Sequence, residues 1–227
     1  MAKFTRLQVL ISMIETGVIP VFYHSDPEIA ANTVLACAEG GARCFEFTNR
    51  GDQAQEVFGE LIRRFKNDRR IILGVGSILD PSTAALFIQM GANFIVGPIL
   101  NAEVARLCNR RKIAYSPGCG SASEVSQAEE LGVEICKIFP GGAVGGPAFI
   151  KDLHGPMPWA RLMPTGGVDS TQESITSWIQ AGADCVGMGS KLFTSELIAS
   201  ENYGEITEKM KRLIGWVQTA RNGKLPI

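Results

Sequence analysis

The sequence predicts an α/β chain closed as a (β/α)8 barrel, a TIM barrel, with an N-terminal helix packed across its bottom. Three observations carry that reading: helical stretches alternate with short apolar runs, the runs number eight, and four helix-to-run junctions repeat one glycine signature. The junctions are Gly41-Ala42 before RCFEF, Gly91-Ala92 before NFIVG, Gly132-Val133 before EICKIF, and Gly182-Ala183 before DCVGMG. Glycine at a helix end tolerates the left-handed backbone that stops the helix, and each following run has the length of a buried parallel strand. The copies recur about 40 to 50 residues apart, room for two strand-helix units.

Taken in order, the predicted strands are 18–23, 42–48, 71–76, 93–97, 112–115, 133–139, 161–164 and 184–188. Ahead of the first, Leu7, Leu10, Ile11 and Ile14 fall at helical spacing and read as the helix closing the barrel bottom. Between strands, Asp26-Pro27-Glu28 and Asp80-Pro81 each supply an N-cap with proline in the first turn. After the last strand, Ile206, Met210, Leu213 and Val217 outline the core face of a terminal helix. A chain of 227 residues can bury one substantial core, so residues 1–227 are expected to form a single domain.

Lys plus Arg number 22 and Asp plus Glu 23, a net charge of -1, which gives no basic field for nucleic acid or anionic membrane. The expected partner is a small molecule. The six cysteines form no CxxC pair, and the two histidines, His24 and His154, show neither HxH nor HExxH spacing, so no metal is expected. His24, at the end of the first strand, is a possible substrate contact, and His154 reads as a loop residue. With no apolar run near the ~20 residues a bilayer needs and no signal-like N-terminus, the expected location is cytoplasmic.

Alternate side chains of a barrel strand point inward. In VEICKIF the inward set is Ile135, Lys137 and Phe139; in RCFEFTNR it is Cys44, Glu46 and Thr48, with Phe45 and Phe47 facing the helices. Burial opposes the ammonium form of an amine, and the neutral amine attacks carbonyls, so Lys137 is a candidate for Schiff-base chemistry. Taken alone, a strand lysine reads more simply as a packed or paired side chain; an inward Glu46 beside it supplies the acid/base such chemistry needs. Arg50, just past its strand, can clasp a carboxylate. A local ion pair is the structural alternative for Glu46 and Arg50. Pro164-Thr165-Gly166-Gly167 and Gly187-Met188-Gly189-Ser190 end the last two strands, where barrels commonly bind phosphate through backbone N–H groups.

These motifs, with GVGSIL at 74–79, SPG at 116–118 and KIFP at 137–140, resemble the class I 2-keto-3-deoxy-6-phosphogluconate (KDPG) and 4-hydroxy-2-oxoglutarate (KHG) aldolases, from about residue 5 to the C-terminus. The resemblance implies Lys137 as the imine-forming lysine, Glu46 as acid/base and Arg50 as a carboxylate contact. It also implies Phe139 beside the lysine stem, and Thr165, Gly166, Gly167, Gly189 and Ser190 around the distal phosphate or carboxylate. Ser77, which the resemblance implies as a further substrate contact, stands where that family usually has threonine, and Gly97-Pro98-Ile99 where it usually has a second SPG-like turn. The implied partner is a 2-keto acid, phosphorylated at its far end, with no cofactor, and the implied assembly is a homotrimer. The glycine run 141–146 predicts a mobile or tightly curved loop beside the lysine strand. Two alternatives stand beside an aldolase: an isomerase or decarboxylase of sugar phosphates that uses Lys137 as a fixed charge, and a barrel that binds a phosphorylated sugar acid without chemistry.

Overall fold

Helices begin where the sequence supplies caps. In the computed structural model, which describes residues 2–222, Asp26 accepts from the amides of Glu28 and Ile29 to start α2 (Pro27–Glu39), and Asp80 accepts from Thr83 to start α4 (Pro81–Met90). Helices end at the predicted glycines. Gly41, Gly91, Gly132 and Gly182 have φ of 100°, 115°, 78° and 112°. The amide of the next residue donates back five positions, as from Ala42 to Cys37 O at 3.0 Å and from Ala183 to Trp178 O at 3.1 Å. A fifth corner uses Lys112, at φ 55°, with Ile113 donating to Cys108 O.

The strands are β1 (Val18–Phe22), β2 (Cys44–Thr48), β3 (Ile72–Gly76), β4 (Phe94–Val96), β5 (Ala114–Ser116), β6 (Gly118–Cys119), β7 (Cys136–Ile138), β8 (Leu162–Pro164) and β9 (Val186–Met188). All pair in parallel, in the orders β5-β4-β3-β2-β1-β9 and β6-β7-β8. β5 and β6 are one stave interrupted at Pro117, which has no N–H to give the ladder. A parallel bridge between Thr165 and Gly187 joins β8 to β9, so the nine segments form eight staves of a closed barrel. The predicted strands at 42–48, 112–115 and 133–139 begin two or three residues too early. Those first residues belong to the helix-stop corner, whose backbone bonds compete with the ladder.

Two apolar layers follow from strand parity. Inside lie Ile19, Cys44, Ile72, Phe94, Ile135, Met163 and Cys185, packed with Phe4 and with Val9, Leu10, Met13 and Ile14 of α1 (Arg6–Thr16), which plugs the bottom. Outside, Phe45, Phe47, Cys136 and Ile138 pack with the helices. The predicted stripe on α1 is half right. Leu10 and Ile14 are buried, but Leu7 and Ile11 are exposed, because the helix is rotated to present Val9 and Met13. On α10 (Tyr203–Ala220) all four predicted core residues are buried, and a short α9 (Ser195–Ala199) precedes it. No helix among the described residues is long and apolar enough to cross a membrane.

Candidate active site

The inward side chains of β2 and of the β7 segment rise in three steps. Cys44 and Ile135 belong to the apolar bottom, Glu46 and Lys137 form the next step, and Thr48 and Phe139 stand above them. Glu46 is 1% exposed and Lys137 3%, and Lys137 Nζ lies 3.9 Å from Glu46 Oε1. That separation is an ion-pair distance, too long for a hydrogen bond. Neither carboxylate oxygen has a hydrogen-bond partner. Lys137 Nζ also sits 5.0 Å from the centre of the Phe139 ring, which packs beside the lysine as the resemblance implies.

Room for the carboxylate comes from β3. A Cβ built on Gly76 would fall 1.8 Å from Glu46 Oε1, and one on Gly74 would fall 2.3 Å from the Phe94 ring. The glycines of Gly74-Val75-Gly76 are therefore inward gaps in a strand, one filled by Phe94 and the other by Glu46.

Arg50 is tied to the end of β3. Asn49 N donates to Gly76 O at 2.9 Å, and the Arg50 guanidinium donates through Nε to Ser77 Oγ at 2.9 Å. Ser77 adopts φ 60°, uncommon for a residue with a Cβ. The Arg50 head otherwise remains exposed. It lines a cleft of about 790 Å³ with Thr48, Phe139, Thr165, Gly166, Gly189 and Ser190. Glu46 and Lys137 lie one layer below. Ser77 and Gly167 are outside the lining: Ser77 braces Arg50, and Gly167 backs Gly166.

The glycine run 141–146 explains that backing. Gly141 N and Gly142 N donate to Thr165 O and Gly166 O, both at 2.9 Å, extending the β7–β8 ladder into the loops. A Cβ on Gly167, at φ 82°, would fall 2.6 Å from Gly142 Cα, so the two loops pack backbone to backbone. The run is tightly curved. Thr165 Oγ1 is buried without a partner, and Gly187 leaves the space it occupies. A barrel whose cleft overlies a buried lysine and an unpartnered carboxylate suits chemistry at a carbonyl.

A family model described as KDPG and KHG aldolase matches residues 10–209. The chain belongs to the KDPG and KHG aldolase family. It is 27% identical over 212 residues to the 2-dehydro-3-deoxy-phosphogluconate aldolase of Haemophilus influenzae, covering 93% of this chain and 98% of that one. It is 30% identical over 168 residues to the 2-dehydro-3-deoxy-6-phosphogalactonate aldolase of Escherichia coli, covering 74% and 80%. Among solved structures it resembles a KDPG aldolase from Legionella pneumophila in which pyruvate is captured as a covalent carbinolamine. There the TM-score is 0.81 and the identity 27%, with 89% of this chain and 96% of that one covered. Membership makes the protein a carbon-carbon lyase of the aldolase type.

For this KDPG and KHG aldolase family member, strand parity located the glutamate and lysine. Several neighbours carried too weak a signal: Gly76 and Gly187 matter through the side chains they admit, which only the register between strands reveals. Tyr23 and His24 also line the cleft. His24 Nδ1 accepts from Asp26 N at 3.0 Å, which in the neutral ring puts the proton on Nε2.

Proposed function

We propose that the chain is a class I aldolase that reversibly cleaves KDPG, KHG or both to pyruvate and an aldehyde, glyceraldehyde 3-phosphate or glyoxylate. The observation that carries this is the buried Glu46 carboxylate, which accepts no hydrogen bond and lies 3.9 Å from Lys137 Nζ. An unpartnered buried acceptor costs about 1–3 kcal/mol, more when charged. It persists where a ligand or reacting proton completes it.

In this reading Lys137 attacks the C2 carbonyl, and loss of water leaves a protonated imine. The C3–C4 bond breaks, its electron pair passes into the enamine, and the C4 hydroxyl proton passes to Glu46, directly or through one water. The enamine takes a proton at C3, and hydrolysis frees pyruvate and the amine. Arg50, braced by Ser77, holds the substrate carboxylate. Phe139 shields the lysine stem. Thr165, Gly166, Gly167, Gly189 and Ser190 form the site for the distal phosphate or carboxylate. The carbinolamine captured in the Legionella relative supports the covalent route.

A pyruvate-release assay tests it, with KDPG, its galactonate-derived isomer and KHG as substrates. Pyruvate from at least one is the expected result, and a faster reaction with the phosphorylated acids identifies phosphate at the distal loops. Release from none of the three would sink the proposal.

A further inference from the structure

The cleft continues past the distal loops, toward the β1 side of the barrel. There Phe22, His24, Ile29, Phe193 and Ile198 line it. Phe22 and Phe193 pack with ring centres 4.8 Å apart, and Phe22 lies nearly parallel to His24, at 12° and 6.4 Å. These rings come from the end of β1 and from the segment after β9, neighbouring staves, so they form one continuous wall. At about 790 Å³ the whole cleft is in the upper part of the ~300–1,000 Å³ range of small-ligand sites. The pyruvoyl half needs only the part above Lys137.

Charge in this annex does not favour an anion. Among the described residues that line the cleft, Arg50 is the one Lys or Arg, and it is held at the β2–β3 end by Ser77. Lys191, next to Ser190, is paired with Asp169 at 3.1 Å. Glu201 lines the annex and carries the opposite charge to the one a phosphate or carboxylate tail would need.

We infer a further activity, resting on the imine chemistry proposed above: cleavage and formation of 4-hydroxy-2-oxo acids whose C4 substituent is uncharged and apolar, an aryl or branched alkyl group seated in this annex. The bond changes are unchanged. Lys137 forms the imine at C2, the C3–C4 pair enters the enamine, the C4 hydroxyl proton leaves, and the product is an apolar aldehyde plus pyruvate. The aromatic wall supplies apolar contact for a planar substituent, and the Glu201 carboxylate disfavours an anionic one there.

The test compares pyruvate release from 4-hydroxy-2-oxo-4-phenylbutanoate, KHG and KDPG, alongside borohydride trapping of pyruvate on the enzyme. The expected result is that the phenyl acid is cleaved with kcat/KM at or above that of KHG. Ile198→Glu should lower kcat/KM for the phenyl acid by about tenfold or more, as loss of a hydrophobic contact does, and Ile198→Leu should retain it. Ala199→Glu, at an exposed position of the same lining, gives the same reading if Ile198→Glu does not fold. Cleavage of KDPG or KHG without cleavage of the phenyl acid overturns the annex. So does a phenyl rate unmoved by either glutamate. If no substrate is cleaved and no pyruvate is trapped, the imine reading has failed and the annex activity falls with it.

Discussion

Lys137 Nζ stands 3.9 Å from Glu46 Oε1 in a barrel layer sealed from solvent, and neither carboxylate oxygen accepts a hydrogen bond. Ion pairing alone would draw the two closer, to the roughly 2.7–2.9 Å of a charge-assisted hydrogen bond. The carboxylate thus lies within reach of the amine with neither of its oxygens engaged in a hydrogen bond. Glu46→Gln keeps the shape and removes the proton acceptor. Its kcat should fall by about 10²–10⁴-fold, the usual contribution of a positioned acid/base, with little change in thermal midpoint. A kcat within a factor of three of wild type would exclude Glu46 from proton transfer.

Gly76 holds Glu46 in place by giving way to it. In Gly76→Ala the new methyl meets Oε1 at 1.8 Å, so the carboxylate must move off the line to Lys137. Overpacking of this kind costs about 1–3 kcal/mol. Gly74→Ala is the control, since its methyl meets the Phe94 ring instead. Both variants should lower the melting temperature, and only Gly76→Ala should lower kcat more than tenfold. Equal kcat in the two would remove the positioning role.

Ser77 keeps Arg50 aimed at the cleft through its 2.9 Å hydrogen bond from Nε. Hydrogen bonds to charged groups are worth about 1.5–3 kcal/mol, so Ser77→Ala should raise KM by roughly tenfold. The imine step proposed above does not pass through this serine, so kcat should change less. Steady-state kinetics on the best substrate separates the two, and a fall in kcat at constant KM would contradict the brace.

At the other end of the barrel, Asp184 accepts from Leu162 N at 2.7 Å and from Arg161 at 2.9 Å. Burial nonetheless pushes its carboxyl above the ordinary carboxylate value, outweighing those partners. The folded state therefore holds this proton to higher pH than the unfolded chain does. Stability contributed by the group declines as pH rises from the ordinary value through the raised one, and is flat above it. Melting curves from pH 3 to 8 should show that decline in wild type but not in Asp184→Asn, once both are corrected for carboxylates elsewhere. Identical profiles would exclude Asp184 as the source.

Much of the barrel was legible because its signals are local. A glycine that ends a helix and an apolar run that follows are neighbours in sequence, and strand parity carries Ile135 to Lys137 and Cys44 to Glu46 by counting. The missed features depend on partners far along the chain. Lys112 makes the same left-handed corner as the glycines, although its identity gives no hint of it. Leu7 and Ile11 share helical spacing with Leu10 and Ile14, and only the shape of the barrel bottom decides which pair is buried. Gly76 and Gly187 read as ordinary small residues until register sets them against Glu46 and Thr165. The aromatic wall joins Phe22 to Phe193, which sequence separates by most of the chain.

The most direct measurement is mass spectrometry of the protein after borohydride reduction in the presence of pyruvate, with the modified peptide sequenced. A single reduced pyruvate should be found on Lys137, absent without pyruvate and absent in Lys137→Ala, which should also lose turnover. No adduct, an adduct on another lysine, or turnover retained by Lys137→Ala would contradict the imine chemistry proposed for this barrel.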